Sequence, residues 1–358
     1  MNQYELINKN QMTENQIIEV LRKIIIPETK KDFVSSGLLE NLEIVDNKVI
    51  LKIKLENPAM HAKKRISEAI LFQIKKKFGD SIELELNFIN PDNKKKNTKK
   101  GQIKNIICVA SGKGGVGKST ITINLAAILT QMGFNTGVLD ADIYGPSIPT
   151  LTDTVHQRPE MIKKDDLQLI QPLEVNAIKI MSIGYFTDPN NAVVWRGPMA
   201  SKALTQLYTD VNWGELDFLL IDLPPGTGDI HLSMVQNIPV HGAIVVSTPQ
   251  ELALADVKRG IKMFQLDSVN VPILGMIENM SWFTPEELPE NKYYIFGRDG
   301  VKNLSVGMGI KFLGSVPIIL SLRESSDVGS INSYSNQQTK VHFQEIAENI
   351  LNELSLIE

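Results

Sequence analysis

The sequence predicts an α/β fold with a mostly parallel sheet covered by helices, preceded by a smaller α+β domain. Three observations carry that expectation. From residue 104 onward, short β-rich apolar runs alternate with helical stretches, as in parallel strands joined by crossover helices. A glycine-rich loop stands between the first such strand and the first such helix. The charge also breaks: residues 1–104 hold 20 Lys/Arg against 14 Asp/Glu, net +6, and the remainder holds 17 against 27, net −10.

The expected divisions are a small αββαβ domain at 1–89, a linker at 90–103 and a larger domain at 104–358. The run from Asn90 to Lys104 is polar, Lys-rich and nearly free of apolar residues. It reads as a solvated hinge, with a polyanion-binding patch as the alternative. Before it, Thr13 to Ile25 has helical apolar spacing, with Thr13 as the N-cap. Leu42 to Val45 and Val49 to Leu55 alternate like strands around a turn at Asp46-Asn47. Lys63 to Phe78 reads as a helix with a basic outer face, and Ile82 to Phe88 as a third strand.

In the larger domain the β-rich runs are Ile106–Ala110, Thr136–Asp140, Phe218–Asp222, Ala243–Ser247, Ile273–Ile277 and Phe312–Val316. The last helix is expected over Val341 to Leu354, with acidic residues on its polar face.

Composition narrows the function classes. The chain of 358 residues is 42% hydrophobic, which excludes disorder for most of it. Its net charge of −4 does not suit a dedicated nucleic-acid binder. The single cysteine, Cys108, excludes a disulfide framework or a multi-thiolate zinc site within one chain and favours a reducing compartment. No apolar run approaches 18 residues, and the first residues lack a secretion pattern. A cytoplasmic protein without a membrane span is expected.

The strongest motif is Gly112-Lys113-Gly114-Gly115-Val116-Gly117-Lys118-Ser119, followed by Thr120. It fits G-x-x-x-x-G-K-[ST] between a strand and a helix, the P-loop of nucleoside triphosphatases. Its glycines let backbone N–H groups converge on phosphate oxygens, and the helix N-terminus adds partial positive charge. Lys118 is expected to reach the β/γ-phosphates and Ser119 to ligate Mg²⁺. Lys113 reads either as a variable exposed position or as a phosphate contact, in the latter case supplying charge to the transition state as an arginine finger does.

Two acidic segments follow at strand ends, where a carboxylate faces the nucleotide crevice. Asp140 and Asp142 open Ala141-Asp142-Ile143-Tyr144-Gly145-Pro146-Ser147, and Asp222 opens Asp222-Leu223-Pro224-Pro225-Gly226-Thr227-Gly228-Asp229. Asp222 suits a Walker B acid holding Mg²⁺ through water, and Asp142 suits orientation of the attacking water. A helix cap or turn former is the alternative for each. Gly226 and Gly228 would let the second segment move when the γ-phosphate leaves.

SGKGGVGKST, DADIYGPS, WRGPM, DFLLIDLPPGTGD, STPQE and ENMS occur in that order. Together they resemble the Mrp-type iron–sulfur cluster carrier ATPases of the MinD/ParA group, over about residues 104–355. The N-terminal domain resembles the small domain associated with iron–sulfur assembly. The resemblance implies that Lys113 is the signature lysine reaching the partner subunit's nucleotide. It also implies that Asp142 is the catalytic aspartate, Asp222 the Walker B acid, and Asn279 the asparagine that reads adenine. From the residues alone, Asn279 reads as a strand-end turn residue. The resemblance further implies a nucleotide-dependent homodimer, slow Mg²⁺-dependent ATP hydrolysis and cluster transfer to apoproteins or assembly factors.

The chain departs from that pattern where many family members carry Cys-x-x-Cys, between Glu278-Asn279-Met280-Ser281 and the following Phe296-Gly297. Trp282 to Lys292 holds no cysteine, and Asn57-Pro58-Ala59-Met60-His61 stands where the N-terminal domain often has one. Cys108 lies in an expected buried strand, and a dimer would supply only two thiolates where clusters take four. His61, His156, His231, His241 and His342 show no metal-ligand spacing. The iron–sulfur ligands are therefore left unassigned. The expected function is an ATP-hydrolysing cluster carrier or assembly factor. The alternative is an ATP-dependent dimerisation switch or scaffold that holds no cluster. A positioning ATPase fits less well, because the C-terminus is acidic and the larger domain is net negative.

Overall fold

The structure, a computed structural model, describes residues 13–26, 31–45, 48–54, 60–79, 82–89, 103–164, 167–186, 197–226, 228–266 and 269–355. The chain divides into two compact units, Met1–Lys99 and Lys100–Glu358. Asp46-Asn47, Leu55, residues 57–59, the linker run 90–102 and Trp195-Arg196 lie outside the described residues.

In the first unit, helix α1 spans Glu14–Leu21, and Gln16 Oε1 accepts the Thr13 backbone N–H at 3.2 Å. The helix ends four residues before the expected Ile25. Ile25–Ile26 instead forms β1, paired antiparallel with β2, Lys31–Asp32. Pro27 accounts for the difference, because its ring drives the preceding residue out of the α region, and β-branched isoleucines favour extended backbone. β3 (Leu39–Val45) pairs antiparallel with β4 (Lys48–Lys54), α2 spans Met60–Phe78, and β5 (Glu83–Ile89) lies parallel to β4. Val49, Leu51 and Ile53 alternate inward along β4 and join Ile17, Leu21, Phe33, Ile70 and Ile74 in one core.

The second unit is built on an eight-stranded sheet. Its strands and helices are β6 (Ile103–Ser111), α3 (Lys118–Gln131), β7 (Thr136–Asp140), α4 (Ile148–Leu151), β8 (Met161–Lys164), β9 (Leu167–Ile170), β10 (Leu173–Val175), β11 (Ile178–Ser182), α5 (Gly197–Thr209), β12 (Leu216–Asp222), α6 (Asp229–Asn237), β13 (Gly242–Ser247), α7 (Glu251–Phe264), β14 (Ile273–Phe283), α8 (Gly300–Met308), β15 (Phe312–Ile318), α9 (Leu320–Asp327) and α10 (Gln337–Ser355). The sheet order is β10-β11-β7-β12-β6-β13-β14-β15, with every neighbour parallel except β10 and β11. β6 begins at Ile103, so the last expected linker residue already belongs to the sheet.

Two hairpins, β8–β9 and β10–β11, fall where the sequence names no strand. Their strands are three to five residues long and carry lysine, glutamine or glutamate among the apolar positions. β14 runs six residues beyond its expected end. Helix α3 buries residues on nearly every side, Ile121 through Leu129, because it packs against strands of the sheet and against α10. Each such aliphatic side chain contributes roughly 1.5–3 kcal/mol before ordering costs. That packing fixes the start of α3, and with it the phosphate loop.

Candidate nucleotide site

The loop Gly112–Gly117 leaves the carboxyl end of β6 and enters α3. Two glycines are required for physical reasons. A Cβ on Gly112 would stand 2.5 Å from the backbone nitrogen of Val257, so β6 and α7 approach there only without a side chain. Gly117 caps α3 with φ of +79°, and a Cβ on it would collide with the Asn279 side-chain amide. Asn279 Nδ2 donates to the Val116 carbonyl at 2.8 Å. The loop is therefore pinned from below by β14. Ser111 Oγ donates to the Lys113 carbonyl at 3.0 Å and holds it from behind.

Three donors converge on Asp222, at the end of β12 and fully buried. Ser119 Oγ donates to Oδ2 at 2.5 Å, Thr122 Oγ1 to Oδ1 at 2.9 Å, and Lys118 Nζ stands 2.7 Å from Oδ1. A hydroxyl and a carboxylate held this close are hard oxygen donors, and that set fits Mg²⁺. A cavity of about 290 Å³ opens above them. It is lined by Lys113 through Thr120, Asp142 and Pro225, among others. Its walls are backbone N–H groups, lysine and a helix N-terminus, a set that fits phosphates.

The first acidic segment is organised by Asp140, fully buried at the end of β7. Its carboxylate accepts the Asp142 N–H (3.1 Å), the Ile148 N–H (3.1 Å) and the Ser182 hydroxyl (2.9 Å). Burial and the neighbouring Asp222 charge push its pKa up to about 7. Asp142 accepts the Tyr144 and Gly145 N–H groups with Oδ1 and turns Oδ2 to within 4.0 Å of Lys118 Nζ. Burial raises its pKa, opposed by the Lys118 ammonium.

The expected site residues thus gather at one edge, with two different in placement. Lys113 Nζ donates to Gln250 Oε1 at 3.4 Å, at the rim. Asn279 does not line the 290 Å³ cavity, because its amide is spent on the loop backbone. Thr122, Ser182, Gln250 and His231 belong to the constellation without having been singled out as such. Thr122 follows Lys118 by one helical turn, and that spacing was the signal available. Ser182 and Gln250 carry no local signal, since the fold alone brings them in.

His241 Nδ1 accepts the Ile106 N–H, His342 packs edge-on against Trp282, and His156 is exposed. The His61 side chain lies outside the described residues. Cys108 is fully buried, and burial pushes its thiol up to about 12. Among the described residues no group of three His, Cys, Asp or Glu is placed to hold a metal ion by those side chains alone. No helix among them is long and apolar enough to cross a membrane.

The family described as NUBPL iron-transfer P-loop NTPase matches residues 102–351. The chain belongs to this family. A second match, described as an iron–sulfur cluster assembly protein, covers residues 14–83. An iron–sulfur cluster carrier protein of Synechocystis is 39% identical over 321 residues, covering 89% of this chain and 90% of that one. A protein of the same description from Haemophilus influenzae is 37% identical over 350 residues, covering 95% and 92%. A solved nucleotide-binding protein from Archaeoglobus fulgidus, in complex with ADP, is 36% identical, with a TM-score of 0.57. That match covers 66% of this chain and 90% of the other. As a NUBPL-type P-loop NTPase, the chain carries the family's nucleotide-binding architecture in its second unit.

The segment after β14 has another character. Phe283 and Tyr293 exchange backbone hydrogen bonds at 2.9 and 2.8 Å, closing residues 284–292 into a strap. Lys292 Nζ sits 4.2 Å from the Trp282 ring centroid. Residues 286–293 are all exposed. No thiol is present in this segment.

Proposed function

We propose that this protein is an ATP-hydrolysing factor of iron–sulfur cluster delivery, acting on apoproteins or assembly partners. The observation that carries the ATPase half is the convergence of Lys118, Ser119 and Thr122 on buried Asp222 beneath the glycine loop. The delivery half rests on the two family matches and on relatives described as cluster carriers.

In this reading the loop N–H groups and Lys118 neutralise the β- and γ-phosphates. Ser119 and Asp222 would hold Mg²⁺ beside the phosphates. The ion, when bound, screens the charge that builds on the phosphate oxygens. Asp142 orients the attacking water, with its carboxylate fixed by the Tyr144 and Gly145 N–H groups. Lys113 contributes charge to the nucleotide across a homodimer, and Asn279, whose amide donates to the Val116 carbonyl, braces the loop. Turnover is slow, because it is coupled to rearrangement of the dimer. The reading includes a cytoplasmic setting.

A second reading is favoured by one observation. The only cysteine is fully buried, with its thiol raised to about 12. In this version the protein is an ATP-dependent dimerisation switch or scaffold that regulates assembly or another client without itself holding a cluster. Anaerobic reconstitution with iron and sulfide, with and without ATP, separates the two. The assay is iron and sulfide per dimer together with the visible spectrum, beside Cys108→Ala. A stoichiometric cluster supports a carrier with its own ligands. No cluster, under conditions that load a relative with a Cys-x-x-Cys pair, leaves the switch. Absence of Mg²⁺-dependent ATP turnover overturns both.

A further inference from the structure

The loop that follows Asp222 is fastened at three points. The backbone N–H of Leu223 donates to the Val109 carbonyl at 3.0 Å, and that of Gly226 to the Ser111 carbonyl at 3.0 Å. Pro224 and Pro225 have no N–H, so these are the only two backbone donors between residues 223 and 226. The third fastening comes from a side chain. His231 Nε2 lies 2.7 Å from the Pro224 carbonyl oxygen. A carbonyl only accepts, so Nε2 carries the proton and donates.

His231 sits in the first turn of α6 and is 2% exposed. Its Nδ1 is buried with no partner among the described residues. An orphaned buried nitrogen is destabilising, so bulk packing alone does not account for an imidazole here. Burial holds the ring's pKa below its usual range, opposed by the Pro224 and Gly228 backbone groups. Nε2–H is thus a buried donor aimed at the Pro224 carbonyl. The next residue along the loop, Pro225, lines the phosphate cavity, and Gly226 turns there at φ of +94°.

We propose that His231 is the positioning residue of the second switch. Its Nε2–H couples the Pro224 carbonyl, and through Pro225 the phosphate cavity, to helix α6. Movement of the loop on γ-phosphate loss is thereby passed to α6 through one hydrogen bond. The inference rests on the reading of residues 222–228 as a nucleotide-dependent switch.

The test compares His231→Gln, His231→Asn and His231→Ala in the full chain. The glutamine amide reaches the place of Nε2, and the asparagine amide only that of Nδ1. The first readout is hydrogen exchange of the Gly226 amide in nucleotide-free protein. The second is the split between kcat and KM for ATP. Alanine and asparagine are expected to speed exchange at least about fivefold. They are expected to lower kcat at least about tenfold, with KM within about threefold. Glutamine restores both measures to near the parent values.

Exchange unchanged in the alanine protein overturns the proposal, as does equal damage from glutamine and asparagine. If alanine fails to fold by circular dichroism, the glutamine–asparagine contrast decides. A parent protein without ATP turnover refutes the ATPase reading. The exchange measurement, which uses no nucleotide, then still decides the role of His231.

Discussion

Two loops of the second unit differ in how their residues are held. The loop after β6 is fixed from every side: Asn279 beneath, Ser111 behind, and a helix whose first turn places Lys118, Ser119 and Thr122 on one carboxylate. The strap after β14 is closed at its base by the Phe283–Tyr293 backbone pair and by Lys292 over Trp282. Within it only local turn bonds are made among the described residues, Leu288 N–H to the Pro285 carbonyl and Asn291 N–H to the Leu288 carbonyl. Between those points Glu286, Glu287, Leu288 and Glu290 are exposed. The first loop specifies chemistry through converging polar groups. The second preserves a path for the backbone and presents no soft ligand. In the NUBPL-type frame, this chain carries the P-loop NTPase architecture, while its one thiol is the buried Cys108.

The largest expected effect lies in the first loop. Lys118→Ala removes the ammonium 2.7 Å from Asp222 and with it the charge for the phosphates. ATP turnover is expected to fall about a thousandfold or more, measured as phosphate release, with nucleotide affinity lost alongside. Substitution at Asp142 is expected to separate binding from chemistry. Asp142→Asn keeps an oxygen for the Tyr144 and Gly145 N–H groups while removing the charge. It should retain ATP affinity within about threefold and lose turnover about a hundredfold. Binding is read by equilibrium titration and turnover by single-turnover hydrolysis. Full activity in both variants would break the assignment of the site, and the contrast between the loops with it.

A smaller and sharper measurement concerns the thiol. With a pKa near 12, Cys108 is roughly one part in ten thousand thiolate at pH 8. Native protein at that pH should leave a disulfide reagent unreacted over hours, and denatured protein should consume one equivalent per chain. Rapid reaction in the native state would place Cys108 within reach of solvent and restore it as a candidate ligand.

The sequence made the first loop legible because its requirements are local. Glycines, a lysine and a hydroxyl at fixed spacing, between a strand and a helix, announce themselves without the fold. Asp140, Asp142 and Asp222 were legible as strand-end acids. That Asp140 organises its segment through Ser182 was not, because β11 lies 42 residues away and its strand was not anticipated. The apolar spacing up to Ile25 is helical, but Pro27 outweighs that spacing. His231 has no spacing signal at all. Its partner is a carbonyl seven residues back, and only the turn after β12 brings the two together.

The least expected effect lies in the strap. Lys292→Gln removes the cation over Trp282, a contact worth about 0.5–1 kcal/mol at an exposed site. In a unit of this size that lowers Tm by roughly 1–4 °C, and ATP turnover should be unchanged. A second readout localises the change. Burial holds the His342 pKa down, Lys292 adds to that, and Glu345 opposes it. Removing the lysine removes a neighbouring positive charge, which favours the protonated ring, so the His342 midpoint in an NMR titration should move up in Lys292→Gln. The stability lost on acidification, which sets in at the unfolded ring's pKa and runs down to the folded one, would then be smaller and complete at a higher pH. A rise in the His342 midpoint with constant turnover keeps the strap independent of the phosphate loop. A fall in turnover would mean that the two loops are mechanically joined, and the strap would have to be counted among the moving parts.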